Sequence, residues 1–204
     1  MRLVTLVCAV SLLWSQGRAS RPHPGEIPKR EGPLLVAMAT CESAGCVKAT
    51  YAKMAGPDIV ARVVYFTNLL RLNPGDRVAA RGLLQNIPRT GRQDARLIVL
   101  STNMYPGETD AEIRAVGRAY WNFSRNLAHG LRLHPEFLPS FIRYGTIALS
   151  PHSTYPNWAT QVCRANPGRF LRAFETLSAQ DRRYIAKYVI QPKGCKQVAF
   201  PEAE

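Results

Sequence analysis

Acidic residues are scarce in this chain. Its 204 residues include 14 Asp and Glu against 27 Lys and Arg, which gives a net charge of +13. Only 6 of the basic residues are lysine and 21 are arginine. A positive field of this size favours anionic partners such as an acidic envelope polymer, a lipid surface, nucleic acid or an acidic protein. A generally arginine-rich surface without a specific partner is the alternative.

Several motifs that identify enzymes or metal proteins are missing. The sequence has no phosphate-binding loop, dinucleotide fingerprint, calcium loop or Cys-x-x-Cys pair. His129 and His134 are five positions apart, so one helical face would not present both to a metal. His152 stands beside Ser153 without a nucleophile elbow or an evident partner acid. We therefore predict no catalytic set, no metal site and no cofactor.

Seven of the 14 carboxylates fall at predicted helix starts, where capping and the helix dipole explain them. Four others lie in the predicted arm and tail, and Asp94 lies near the start of its segment. Glu42 and Glu175 have no such explanation. Because Glu42 lies in a turn between two cysteines, it is the candidate acid for an alternative function, a small secreted hydrolase acting on envelope polysaccharide. A solvated turn glutamate is the simpler interpretation.

The N-terminus is typical of an export signal. Arg2 precedes an apolar run of 12 residues, and Gly17 and Ala19 supply the small residues of a cleavage site before Ser20. The run is short for a bilayer-spanning helix, although an uncleaved N-terminal anchor is the alternative. Cleavage would remove two arginines and leave 25 − 14 = +11. We predict a signal peptide over residues 1–19, a secreted or periplasmic location, and no transmembrane segment in the mature chain.

Four cysteines follow the predicted cleavage site, and an even number in an exported chain indicates two disulfides. Cys41–Cys46 and Cys163–Cys195 form the preferred pairing. An antiparallel hairpin of helices over residues 170–177 and 179–189 would bring Cys163 and Cys195 to one end. Crossed pairings remain open.

The remaining pattern is helical. We predict a flexible arm over residues 20–33, a single domain over 34–195 and a tail over 196–204, with about seven or eight helices. The type of the segments 34–39 and 93–104 is ambiguous. Helix-opening prolines recur about every 30 residues, at Pro74, Pro106, Pro135 and Pro167. An all-α fold follows, either an α-hairpin array or an irregular bundle.

The clearest helix spans residues 109–133, which open with a capping box of Thr109 and Glu112. At about 100° per residue one face is apolar, and it carries Ile113, Val116, Tyr120, Phe123, Leu127 and Leu131. The opposite face carries a set that we call the arginine stripe: Arg114, Arg118, Trp121, Arg125 and Arg132. Arginine pairs bidentately with phosphate or carboxylate, and an indole stacks on rings.

These features predict a binding or scaffold module that recognises an anionic partner through the arginine stripe. A solvated arginine face with Trp121 covered by a neighbouring helix is the competing interpretation. A helical signalling ligand is a third possibility, but its up-up-down-down form needs long crossovers that the short connections do not provide.

Overall fold

The computed structural model of the chain describes residues 32–98, 110–148 and 155–198. These ranges are 74% helical, which confirms the all-α prediction, and they contain ten α-helices, more than the seven or eight predicted. Both ambiguous segments are helical where they are described. The helices are α1 (Gly32–Thr40), α2 (Ala44–Tyr51), α3 (Ile59–Leu72), α4 (Arg77–Gln85), α5 (Gly91–Ile98), α6 (Asp110–Leu133), α7 (Leu138–Tyr144), α8 (Tyr155–Ala165), α9 (Pro167–Glu175) and α10 (Ala179–Tyr188). A 3-10 turn, Pro135–Phe137, joins α6 to α7.

Helix α6 lies at the centre of the bundle. It packs against α1, α3, α4 and α8. In a repeat array each unit contacts only the units next to it in sequence. Here α6 packs on α1, although four helices separate the two in the sequence. The described buried apolar side chains form one continuous cluster around it. Of the two predicted architectures, the structure therefore has the irregular bundle.

Several helices begin where the sequence indicates. The side chains of Asp58, Asn166 and Ser178 each accept a hydrogen bond at 3.1 Å from the backbone N–H three residues ahead. Each therefore satisfies one of the four N–H groups that a helix leaves unpaired at its start. Pro167 occupies the first turn of α9, where its missing N–H costs nothing.

The predicted helix opening at Pro74 is wrong, because Pro74 lies in the turn between α3 and α4. Asn73 is the C-cap of α3, and its side-chain oxygen accepts from the Gly75 N–H at 3.2 Å, which makes a local turn. The following helix begins at Arg77 and is capped by Asp76, which accepts from the Ala79 N–H at 2.9 Å. Asparagine satisfies a turn as readily as a cap, so the dipeptide alone does not decide between them.

Both preferred disulfides are present, Cys41–Cys46 and Cys163–Cys195. The hairpin of helices that motivated the second pair is not. Helix α9 packs on α7 and α8, whereas α10 packs on α7 and on the strand that follows it. Cys195 reaches Cys163 because a β-hairpin of β1 (Ile190–Gln191) and β2 (Lys196–Gln197) packs on α8.

The predicted segment boundaries fall partly outside the described ranges. Residues 1–19, predicted as the signal peptide, lie outside them, as do residues 20–31 of the predicted arm. Residues 32–33 belong to α1, and β2 occupies the first two residues of the predicted tail. Within the described residues, every helix is too short or too polar to cross a bilayer.

Candidate anion-binding surface

The apolar face of α6 is buried as predicted. Val116 and Phe123 have no exposed surface, and Leu127 and Leu131 are at most 5% exposed. Phe123 also meets Trp158 of α8 edge to face, with 5.9 Å between ring centroids. The side chains of Ile113 and Tyr120 lie outside the described residues, as does Thr109 of the predicted capping box. This packing fixes which way the opposite face of α6 points.

That opposite face is exposed. Solvent reaches every member of the arginine stripe: Arg114, Arg118, Trp121, Arg125 and Arg132. The Trp121 side chain is 63% exposed, so α6 presents an indole between cations instead of covering it with a neighbouring helix. A single exposed apolar side chain is common on protein surfaces, so Trp121 is of interest here because arginines flank it on the same face of α6.

Two members of the arginine stripe carry uncompensated charge. Within the described residues, Arg118 and Arg125 have no ion pair within 4.0 Å and no side-chain hydrogen bond. Nη2 of Arg132 lies 3.3 Å from Nδ1 of His129. Acidic residues are paired elsewhere: Asp58 with Arg96, Asp181 with Arg143 at 3.4 Å, and Glu136 with His134 at 3.2 Å. Within the described residues, Arg118 and Arg125 therefore face solvent without a carboxylate partner.

The described part of the chain is as basic as the whole. Five of the 27 basic and five of the 14 acidic residues lie outside it, which leaves 22 − 9 = +13. A surface with this imbalance attracts anions over distances of about a Debye length, roughly 8 Å at physiological salt.

The two histidines near the end of α6 contact backbone carbonyl groups at and just before the start of α4. Nε2 of His129 lies 2.9 Å from the Pro74 carbonyl oxygen, and Nε2 of His134 lies 3.0 Å from that of Arg77. Both contacts fasten the end of α6 to the start of α4. Glu136 sits beside His134, and its pKa lies below the usual range, chiefly because a backbone N–H donates to its carboxylate. The described residues contain no group of three or more His, Cys, Asp or Glu placed to hold a metal ion.

Glu42, the acid named for the hydrolase alternative, lies at the edge of a cleft of about 310 Å³. The cleft runs between the end of α1, helix α3 and the middle of α6. Arg118 of the stripe also lines it, together with Arg71 and Asn122. The cleft thus joins the turn closed by the Cys41–Cys46 disulfide to the arginine stripe. His152 lies outside the described residues.

Arg71 is held in place by two neighbours. Its Nε donates to Oδ1 of Asn68 at 3.1 Å, and its Nη2 donates to the Cys41 carbonyl oxygen. Asn68 is 4% exposed, and its Nδ2 donates to the Val64 carbonyl oxygen at 2.9 Å. Neither Arg71 nor Asn68 is among the site residues predicted from the sequence. The available signal was an amide on a largely apolar helix, three residues before an arginine, which is the spacing that lets two side chains meet.

Comparison of the chain with protein-family models, with curated proteins and with solved structures found no match in any of the three. The chemistry of this surface and its cleft is therefore the basis on which a function is inferred.

Proposed function

We propose that this chain is an exported, basic binding protein that recognises an anionic partner through the arginine stripe of α6. The observation that carries the proposal is the two-sided character of this helix. Its apolar side is sealed in the core, while Arg118, Trp121 and Arg125 stand in solvent. Guanidinium groups bind phosphate, sulfate or carboxylate bidentately, and an indole between them adds a surface for stacking.

Export is part of the same proposal. It is supported by the signal-like residues 1–19 and by two disulfides, which persist in oxidising compartments. Mass determination of the protein recovered outside the cytoplasm should give a chain that begins at Ser20. A mass corresponding to an intact N-terminus would support the anchor alternative.

The binding test is retention of the purified chain on heparin and on vesicles of acidic lipid, measured against salt concentration. We expect strong retention at low salt that falls steeply as salt rises. The triple variant Arg114/Arg118/Arg125→Ala should elute at markedly lower salt than the wild type.

A matched control removes the same charge from another surface. Arg164, Arg169 and Arg183 are exposed and lie on α8, α9 and α10. The variant Arg164/Arg169/Arg183→Ala should elute close to the wild type if α6 provides the binding surface. If both triple variants elute at equally lowered salt, net charge alone accounts for the retention.

The position of Glu42 in the cleft keeps a hydrolase as the second candidate. Glycosidases commonly use two carboxylates separated by roughly 5–9.5 Å. The described lining of this cleft supplies Glu42 and no further carboxylate. Lysis of envelope polysaccharide that Glu42→Gln abolishes would favour the enzyme. Undiminished lysis by Glu42→Gln would remove Glu42 from that role.

A further inference from the structure

The cleft beside α6 presents donors and acceptors together. Arg71 and Arg118 supply guanidinium donors, Asn122 supplies an amide, and Glu42 supplies an acceptor. Its volume of about 310 Å³ is at the small end of the range for ligand sites, which begins near 300 Å³. Part of this room exists because the walls from α1 and α6 carry alanines.

The guanidinium of Arg71 is oriented before any ligand arrives. It uses two of its five N–H donors on Asn68 and Cys41, which leaves three. Asn68 is itself buried and bonded to the backbone of α3. A side chain that is already immobile loses little rotamer entropy when it binds, so its remaining donors are more effective than those of a mobile surface arginine.

The other charges of the cleft are not neutralised within it. Among the described residues, neither Arg118 nor Glu42 has an ion pair within 4.0 Å. A compact anion such as phosphate would gain from the two arginines but would be repelled by Glu42. A ligand that also carries hydroxyl groups avoids this conflict, because Glu42 and the Asn122 amide can accept from those hydroxyls.

We propose that this cleft binds one acidic sugar unit of a polysaccharide, with its anionic group on Arg71 and Arg118 and its hydroxyls toward Glu42 and Asn122. This assignment rests on the proposed function and names its ligand class, an acidic polysaccharide. Arg118 belongs to both the cleft and the stripe, so the neighbouring units of the polymer extend along α6 past Trp121 toward Arg125.

The test is calorimetric titration of the full chain with three probes: a heparin tetrasaccharide, a neutral chitin tetrasaccharide of the same length, and inorganic phosphate. The heparin tetrasaccharide should bind at least tenfold more tightly than either of the others. Arg71→Lys keeps the charge but loses the forked geometry, and should weaken tetrasaccharide binding about tenfold. Asn122→Ala should weaken it about threefold, and because Asn122 makes no hydrogen bond within the described residues, its loss leaves the fold intact.

Arg164→Ala is the matched control, since Arg164 is exposed on α8 and belongs neither to the stripe nor to the lining of the cleft. It removes one positive charge and should change tetrasaccharide affinity less than twofold. Phosphate binding as tight as the tetrasaccharide, or equal losses in Arg71→Lys and Arg164→Ala, would overturn the cleft assignment. A chain that long heparin retains but the tetrasaccharide does not titrate also overturns it, while a chain that neither heparin nor acidic vesicles retain overturns the proposed function itself.

Discussion

The N-terminal region, α1 to α6, and the C-terminal region, α7 to β2, stabilise themselves in different ways. The first contains α3 with 14 residues and α6 with 24, which bury long apolar faces against each other. The second is built from helices of 7 to 11 residues. Isolated helices of this length are marginal in water, and here a disulfide with a separation of 32 residues closes the region. The N-terminal region arranges its short helices around the two long ones, whereas the described C-terminal region has short helices only and adds covalent closure to packing.

The largest effect is expected where the two regions meet. Phe123 is fully buried on α6 and packs edge to face on Trp158 of α8. Phe123→Ala should lower the free energy of unfolding by about 3–5 kcal/mol, since it removes an aromatic side chain and leaves a cavity. Denaturant titration measures this. Phe174→Ala, at a partly buried position of α9, should cost less; an equal loss would contradict the central place given to α6.

Removing each disulfide in turn tests the comparison directly. In the chain-entropy model, the Cys163–Cys195 loop contributes about 3.5–4 kcal/mol and the six-residue Cys41–Cys46 loop about 2 kcal/mol. The double variant Cys163→Ser/Cys195→Ser should therefore unfold at clearly lower denaturant than Cys41→Ser/Cys46→Ser. Equal midpoints would mean that packing, not covalent closure, holds the C-terminal region.

The two regions also differ in how much of their structure could be predicted from the sequence. The apolar period of α6 predicted both its buried and its exposed face, because one long amphipathic helix carries its own pattern. The pairing of Cys163 with Cys195 was predicted correctly on the basis of a helix hairpin that does not exist. Two-residue strands such as Ile190–Gln191 are too short to show a period, so the β-hairpin was missed. The contact of Arg71 with Cys41, 30 residues away, is tertiary and carries no local signal.

Two glycines give a matched pair of packing tests. A Cβ on Gly145 would lie 2.6 Å from Cε1 of Tyr155, which is buried and whose hydroxyl donates to Phe141 and Ile142 carbonyls. A Cβ on Gly82 would lie 2.2 Å from Cε1 of Phe66, a half-buried ring. Because Tyr155 cannot swing aside, Gly145→Ala should cost about 1–3 kcal/mol.

Gly82→Ala should cost less despite its shorter contact. The ring of Phe66 can move toward solvent, and alanine in a helix interior returns up to about 1 kcal/mol of propensity. Gly91→Ala is the control, because nothing lies within 4 Å of the added carbon. Thermal unfolding of the three variants should rank Gly145→Ala as the least stable; the reverse order of the first two would show that the C-terminal region repacks more freely than its contacts indicate.

The smallest effect concerns a polar link between the regions. The carboxylate of Asp94, on α5, is buried and accepts a hydrogen bond from the Tyr144 hydroxyl on α7. Burial raises the pKa of Asp94, and the bond from Tyr144 partly opposes this. The folded chain therefore holds this proton more tightly than the unfolded chain. The resulting stabilisation is complete below the unfolded aspartate pKa, about 3.9, and is lost as pH rises through the folded pKa.

Asp94→Asn cannot ionise, yet its amide oxygen still accepts from Tyr144. Its stability relative to the wild type should therefore rise with pH across that window and level off above it. Tyr144→Phe removes the bond that favours the ionised carboxylate, so the window should move to higher pH. Melting temperatures of the wild type and the two variants, measured from pH 3 to pH 7, test both expectations. Parallel curves for Asp94→Asn and the wild type would mean that Asp94 ionises as freely in the folded chain as in the unfolded one.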